Sequence, residues 1–547
     1  MAKTFYRVLR QLAGPAGAKE SRLPIRAAER LGCAAGDIAS CRVIRRSLDA
    51  RRRRGKEMLV YHLRLELPRR LRKYLRQLAD PEVVFEKTGQ APAAREPSCP
   101  AAFPRPLVVG AGPAGLFAAL RLARAGWRPL LVERGDGLAA RRRLAADFWR
   151  DGVLDPESNV LFGLGGAGLF SDGKLNTRHK DRDGLAGILR ILVEAGAPDD
   201  ILIEAEPHVG SDQLDGVVES LTAEIAFRGG EIRCRTRLAG LNFRDGGLEA
   251  ALLDGPDGLA EAAAPACVLA VGHSARDVYE ILAGVGAQLE ARSFAVGLRV
   301  EMPQAAIDQS QRREDSAAAS FRLSRAPDGR AAACYTFCMC PGGRVIAAAS
   351  EPGRLCVNGM SFRARSGEWG NAAFLSPVTP EDFAPFAACV PHPALAGLAF
   401  QRHWEEKAWL AGRAGGPYAV PGCRLEEFAG RGRPTLPERR GVDRAAAADL
   451  RRLLPERIAE TLAEAVPAML GRLRRLDLGE VSLYGVESRS SGPVRVVRGE
   501  GGWAVGLAGL YPAGEGSGYA GGIMTSALDG WRAAGKLMAA TVSRRKS

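Results

Sequence analysis

Residues 107–133 hold a complete strand–turn–helix–strand unit whose turn is built from glycine. Leu107-Val108-Val109 is a short apolar strand that runs straight into Gly110-Ala111-Gly112-Pro113-Ala114-Gly115. A helix follows from Leu116 to Ala125, closed by Gly126, and a second strand, 129–132, ends in Glu133. Strand, GxGxxG, helix, strand and acid together form a dinucleotide site, and each part has a physical task. Gly110 permits the tight turn, Gly112 lets the backbone approach a pyrophosphate, and Gly115 lets the helix pack against the strand. Pro113 and Ala114 open the helix, whose unpaired N–H groups face the phosphates. Glu133, 18 residues past Gly115, is placed to accept hydrogen bonds from both ribose hydroxyls and repels a 2′-phosphate, which argues against the adenosine of NADP.

The fingerprint alone does not separate FAD from NAD. Two later features favour FAD. The apolar strand 266–271 ends in Gly272, where a flavoprotein chain returns beneath the dinucleotide. Leu510-Tyr511-Pro512-Ala513-Gly514-Glu515-Gly516 then leads into a glycine-rich turn and a helix from about Gly522 and Ile523. Glu515 takes the place of the acid that binds the ribityl chain. The helix N-terminus behind it faces the flavin N1–C2=O edge and stabilises an anionic reduced ring. A return this late makes the nucleotide domain discontinuous, with a substrate domain inserted between its halves.

The expected fold class is therefore α/β: one discontinuous Rossmann-like FAD domain, an inserted α+β substrate domain and a small N-terminal β-α-β-β module. The boundaries read from composition and pattern are a module at 1–87, a Pro- and Ala-rich linker at 88–104, FAD-domain segments at 105–292 and 479–547, and a substrate domain at 293–478. A second formal match, Gly163 to Gly168, lacks a preceding strand and a following helix. It reads as a glycine-rich loop near the flavin, contributing Gly165, Gly166, Asp172 and Lys174. Arg134 and Arg141 complete the expected cofactor set.

Composition bounds the rest. With 547 residues, 46% apolar and 25% charged, the chain is an ordinary globular protein of several domains. No run of about 20 apolar residues is available for a membrane span. The first residues lack the apolar core of a secretory signal, and 11 scattered cysteines fit a reducing, cytoplasmic setting. The net charge of +15 reads as basic side chains dispersed along the chain. The run Arg51-Arg52-Arg53-Arg54-Gly55 reads as a solvated hairpin tip in preference to an RNA contact, because few aromatics interleave with it. A protein partner docking on the N-terminal module is the other role open to it.

Several longer strings carry a resemblance: FGLGGAGLFSDGKLNT at 162–177, PHVGSD at 207–212, AVGHSARDVYEIL at 270–282, FCMCPGG at 337–343 and YPAGEGSGYAGGIM at 511–524. Together with RSLDAR at 46–51, these resemble a little-characterised family of bacterial FAD-dependent dehydrogenases over nearly the whole chain. The resemblance implies an FAD domain similar to those of geranylgeranyl reductases and aromatic hydroxylases, non-covalent FAD, and oxidoreductase chemistry on an unidentified small molecule. NADH or NADPH would serve as a transient electron donor. Leu164 stands where family members usually have Glu, Met302 replaces a usual His, and ESRSSGPVR at 487–495 varies a threonine-containing pattern.

Flavin chemistry asks of the protein a hydride path to N5, a proton donor or acceptor and exclusion of water. Cys338 and Cys340, two apart, would share one face of a strand and could relay electrons as a dithiol; two buried inert thiols are the plainer alternative. Glu487 could act as acid or base in a dry setting. Arg489 or Arg495 could hold a substrate carboxylate through two parallel bonds. His273, His208 and His179 read as structural or solvent-facing, and no cluster has metal-ligand spacing.

Overall fold

Leu107–Val109, Leu130–Val132 and Cys267–Leu269 are buried on both faces, as short central strands of a parallel sheet must be. The computed structural model describes residues 4–15, 19–53, 56–78, 80–85, 96–100, 103–177, 179–311, 318–327 and 332–544. In it these strands join Glu231–Arg233 and Leu510–Pro512 in a five-stranded sheet. The order is 510–512, 267–269, 107–109, 130–132, 231–233, and every neighbouring pair is parallel. The strand order reverses between 107–109 and 267–269. Open α/β sheets take their ligands in the crevice outside the strand ends at such a reversal. The fifth strand comes from near the C-terminus, so the Rossmann-like sheet is discontinuous in sequence.

Between the fourth and fifth strands the chain builds a second, mostly antiparallel sheet of seven strands. Its order is Ser324–Arg325, Cys334–Cys340, Trp369–Val378, Phe294–Pro303, Ser482–Glu487, Val420–Arg424, Ala445–Ala447. The helix Glu456–Leu470 supplies Ile458, Leu462, Val466 and Met469 to one apolar cluster with Leu298, Val300, Met302 and Phe374 from the sheet. Each such side chain contributes about 2 kcal/mol of burial. The hairpin Arg344–Ala348 with Cys356–Met360 belongs to the same insertion.

This body comprises residues 96–188 and 209–547; a second compact unit comprises residues 1–95 and 189–208. The N-terminal sheet has the order Ser40–Arg53, Lys56–Pro68, Thr4–Pro15, Val83–Phe85, with helices Leu23–Leu31 and Arg72–Gln77. The pattern is thus β-α-β-β-α-β. Sequence reading ends one strand too early, because Val83–Phe85 is only three residues long and shows no alternation. Arg54 and Gly55 of the basic tip lie outside the described residues, as do residues 86–95 of the expected linker.

Candidate active site

Glycines from three segments meet at the sheet reversal. Gly110 has φ +96°, and a Cβ there would lie 2.5 Å from the Ala270 carbonyl oxygen. A Cβ on Gly115 would fall 1.7 Å from the Gly110 carbonyl oxygen, so only glycine lets the helix Pro113–Arg124 approach its strand. A Cβ on Gly166 would sit 2.8 Å from the Gly112 Cα, and one on Gly514 would sit 2.7 Å from the Ala114 Cβ. The loop 163–168 therefore packs backbone to backbone on the fingerprint. It is no second nucleotide fold, since Ala167–Phe170 is a single 3₁₀ turn.

Glu133 is buried and ties these loops together. Its carboxylate accepts the backbone N–H of Ala111 at 2.8 Å, of Gly135 at 3.0 Å and of Gly163 at 2.9 Å. A carboxylate offers about four lone-pair sites, so one remains for a ribose hydroxyl where the sequence suggested two bonds. Arg134, which lines the cavity, is paired with Glu157 and Asp277 and lies over the Phe162 ring at 4.3 Å.

Three residues of the expected cofactor set, Arg141, Gly165 and Gly115, stand behind the cavity wall. Arg141 is fully buried and donates to the carbonyls of Asn159, Val160, Gly163, Leu164 and Gly166 at 2.8–3.2 Å. All its donors face backbone, so it is a scaffold of the glycine loop and no cofactor contact. Desolvation lowers its pKa to about 9, which leaves it charged at neutral pH. Gly165 donates its N–H to Ala111 at 2.9 Å, and its Cα faces Leu169 and Val218, away from the cavity. Gly115 likewise acts through packing.

The cavity, about 290 Å³, joins the two sheets. Its walls include Gly110, Gly112, Pro113, Ala114 and Glu133 at the fingerprint, and Gly166, Asp172 and Lys174 on the loop. Gly272, Gly514, Glu515, Gly522 and Ile523 line it from the returning strands and the start of the helix Ile523–Arg544. Phe337, Cys338, Cys340, Asn358, Glu487 and Arg489 line it from the insertion. His273 also lines it, with Nδ1 3.6 Å from Glu515 and a buried Nε2 that finds no hydrogen-bond partner among the described residues.

The insertion side differs from the sequence reading in its chemistry. Register slips between Phe337 and Cys340, and Cys338 has φ +41°. The bulge breaks the simple alternation: Cys338 is open to the cavity, while Cys340 is buried and donates to the Cys338 carbonyl at 3.4 Å. Desolvation pushes Cys338 up to about 12 and also raises Cys340, outweighing Lys174 and Arg299 nearby. Both remain thiols at neutral pH, which speaks against thiolate chemistry.

Glu487 is held by both prongs of the fully buried Arg299, each at 2.6 Å. Burial raises its pKa and Arg299 offsets part of that rise. Arg489 is corrected as a substrate anchor. Its fork is spent on Glu405 at 2.9 and 2.8 Å, and its remaining nitrogen donates to Ser350 and Ser274 at 2.8 and 3.2 Å. Arg495, at 3.5 Å from Glu290, is absent from the cavity wall. Lys174 donates to the Met339 carbonyl and lies 3.5 Å from Asp172, which also accepts from Ser361 and Arg365.

Asn358 was missed by sequence reading. Its Oδ1 accepts from Arg299 Nη2 at 3.2 Å and from the Gly359 N–H at 2.8 Å. Both neighbours are donors, so chemistry fixes which end of the amide is oxygen. No partner among the described residues takes its Nδ2 hydrogens, and Asn358 lines the cavity beside Val357 and Gly359. A single Asn in a short strand carries no motif that could have announced it.

A family model described as "FAD-dependent protein, C-terminal domain-like" matches residues 293–490, and one for an NAD(P)-binding Rossmann-like domain matches residues 108–170. An uncharacterized protein of Clostridium beijerinckii is 37% identical over 515 residues, 92% of this chain and 93% of its own. The chain belongs to the FAD-dependent oxidoreductase family. A domain of unknown function matches residues 9–66 of this flavoprotein. Among solved structures, it is similar to a geranylgeranyl bacteriochlorophyll reductase-like protein of Thermoplasma acidophilum, at 13% identity, covering 81% of this chain and 80% of that one, with a TM-score of 0.34. The OxyS anhydrotetracycline hydroxylase of Streptomyces rimosus matches at 18% identity, covering 53% of this chain and about half (49%) of the hydroxylase, with a TM-score of 0.26. Among the described residues no single helix is long and apolar enough to cross a membrane, and no cluster has the makings of a metal site.

Proposed function

We propose that this flavoenzyme moves a hydride between FAD and a small, uncharged organic substrate that carries a carbonyl-type acceptor oxygen, with NADH or NADPH as a transient donor. The observation that carries this reading is the single cavity running from the fingerprint and Glu133 to the insertion's Phe337, Cys338 and Asn358. The close packing at Gly110, Gly166 and Gly514 draws three segments around the cavity, and Gly112 in its wall, bare of a side chain, suits a closely approached pyrophosphate. Glu133, Gly514, Glu515 and the helix start at Gly522 and Ile523 would hold the rest of the dinucleotide. FAD supplies the hydride transfer when bound there.

The remaining roles belong to the chain. Arg299 and Gly359 orient Asn358 so that its amide hydrogens are free to meet an acceptor oxygen in the cavity. Phe337, unusually exposed for a Phe at 40%, offers a flat apolar wall. The cationic forks of Arg299 and Arg489 are already paired, so a substrate carboxylate finds no guanidinium there. Cys338, held as a thiol, excludes water and can lend a weak S–H donor.

An anaerobic visible spectrum before and after NADH and then NADPH tests the reading. Flavin bands that bleach within about a minute support a pyridine-nucleotide donor, and bands that bleach only with substrate support a dehydrogenase. A purified protein that shows no flavin bands even after FAD is added overturns the proposal.

A further inference from the structure

The charge of +15 is concentrated, which corrects its reading as dispersed. Residues 1–95 carry 23 Lys and Arg against 9 Asp and Glu, a net of +14, leaving 54 against 53, or +1, for the other 452 residues. The segment 189–208, which completes the same unit, has one Arg against five acids and brings that unit to +10. Basic charge concentrated in one small domain is the electrostatic footprint of a polyanion site.

The sheet of this unit divides the charge from the core. Its inner face supplies Leu9, Leu63, Leu65 and Leu67 to a cluster with Leu23, Leu31 and Leu75 of the helices. Alternation, reset by a bulge between Val43 and Arg45, puts Tyr6, Arg10, Arg42, Arg45, His62 and Arg64 on the other face. Arg10, Arg42 and Arg45 are exposed, and Tyr6, His62 and Arg64 are half-buried. The register sets Arg42 directly opposite Arg64 and Arg45 opposite His62. Like charges placed opposite each other cost a sheet stability, so the Arg42–Arg64 pairing is unfavourable to the fold. The Arg64 guanidinium lies over the Tyr6 ring at 4.4 Å. Burial, then the charges of Arg45 and Arg10, hold His62 below its ordinary value, which leaves a neutral ring with one acceptor nitrogen.

We propose that this open sheet face binds single-stranded RNA. Arg10, Arg42 and Arg45 would neutralise phosphates, while Tyr6, His62 and the planar Arg64 would give unpaired bases surfaces to stack on. The sequence reading saw no aromatic platform because it looked along the chain at Arg51–Arg54; Tyr6 and His62 reach the arginines only across strands. A β-α-β-β-α-β sheet with one bare face is an arrangement that displays aromatics to splayed bases. Duplexes keep their bases stacked and cannot use such a face. Among so many donors, the neutral His62 ring offers an acceptor nitrogen that a 2′-hydroxyl can meet and a deoxyribose cannot. The inference rests on the N-terminal unit alone and is independent of the flavin chemistry.

The test is fluorescence anisotropy with the full-length, flavin-loaded protein and a fluorescein-labelled oligouridylate of roughly 12 nucleotides. Binding is expected in the micromolar range at about 50 mM salt, weakening at least tenfold by about 200 mM. Arg42→Glu with Arg45→Glu should weaken it by about tenfold or more, and Tyr6→Leu by about threefold or more. Lys73→Glu makes a charge reversal on the exposed helix Arg72–Gln77 and should cost less than about threefold. Unchanged flavin content in the variants shows that the rest of the chain is intact. No binding at low salt overturns the proposal. So does equal affinity for oligothymidylate, for duplex RNA or for polyglutamate, the last of which would point to an acidic protein partner. A Lys73→Glu effect as large as that of the sheet-face arginines overturns the assignment to this face.

Discussion

Arg299 closes on Glu487 through two contacts of 2.6 Å, with Arg299 fully buried and Glu487 forming part of the cavity wall. The same guanidinium fixes Asn358, so one ion pair sets the geometry of the proposed substrate donor. Removing one member of a buried pair leaves the other charge uncompensated, whereas replacing both with apolar groups is far milder. Glu487→Leu should therefore lower stability by about 3–5 kcal/mol, and adding Arg299→Met should restore much of it. Thermal unfolding of the two variants checks this. Equal stability of Glu487→Leu and the parent protein would mean that the pair carries no such weight.

Glu405 sits between Arg276 and Arg489, each reaching it through two bonds of 2.8–2.9 Å. Burial alone would raise its pKa, but the charges of Arg276 and Arg489, together with their bonds, hold it far below the usual carboxylate range. A depressed folded-state pKa gives stability that is complete above the unfolded value, about 4.3, and is lost as pH falls toward the folded one. The parent should thus lose stability relative to Glu405→Gln as pH drops from about 6 to 3, while the Gln variant should be weaker by several kcal/mol at pH 7. Thermal midpoints of the two proteins against pH test both parts. A constant difference across that range would sink the assignment.

Local chemistry was legible in the sequence where local spacing determines it. Gly110, Gly112, Gly115 and Glu133 lie within one short segment, and their turn, approach and packing follow from backbone sterics alone. The late return at Leu510–Pro512 was legible because a glycine-rich turn and a helix start stand together there. What long, flexible cations touch was not legible. Arg141 and Arg489 look like ligand contacts in a string of letters. Their partners, carbonyls 18–25 residues away for Arg141 and a carboxylate 84 residues away for Arg489, are set by tertiary packing. Asn358 was invisible for the same reason, since its orientation depends on Arg299, which is 59 residues earlier.

Arg141 carries five carbonyls of the loop that packs on the fingerprint. Arg141→Met keeps the bulk but strands those carbonyls, each costing on the order of 1 kcal/mol or more. The expected result is a loss of flavin content of about tenfold at fixed added FAD, alongside a lower thermal midpoint. Absorbance at the flavin band per chain reads the first, and full retention of flavin would show that the loop keeps its shape unaided.

Cys338 faces the cavity with its pKa near 12. At pH 7.5 the thiolate is then a tiny fraction, so alkylation by iodoacetamide should run at least about tenfold slower than for a free cysteine. Cys338→Ser should keep flavin content and lower turnover no more than about threefold, because the side chain fills space without transferring electrons. Rapid alkylation, or a loss of turnover beyond about a hundredfold in the Ser variant, would restore the dithiol relay to Cys338 and Cys340.

Glu301 is buried at 1% exposure, beside the Gly441 N–H, which it accepts at 2.9 Å. Glu301 has the buried Tyr484 hydroxyl beside it as a hydrogen-bonding neighbour. Desolvation raises its pKa to about 7 against the Gly441 and Val345 bonds and the Arg440 charge. A raised carboxyl pKa works opposite to Glu405. The favourable neutral form is complete below the unfolded value of about 4.5 and is lost as pH climbs through about 7. A shift of this size is worth on the order of 3 kcal/mol between pH 4.5 and 8. Glu301→Gln keeps the shape and cannot ionise, so it should match the parent near pH 4.5 and exceed it in thermal midpoint at pH 8. Identical pH profiles for the two proteins would show that Glu301 finds compensation in its ionised form.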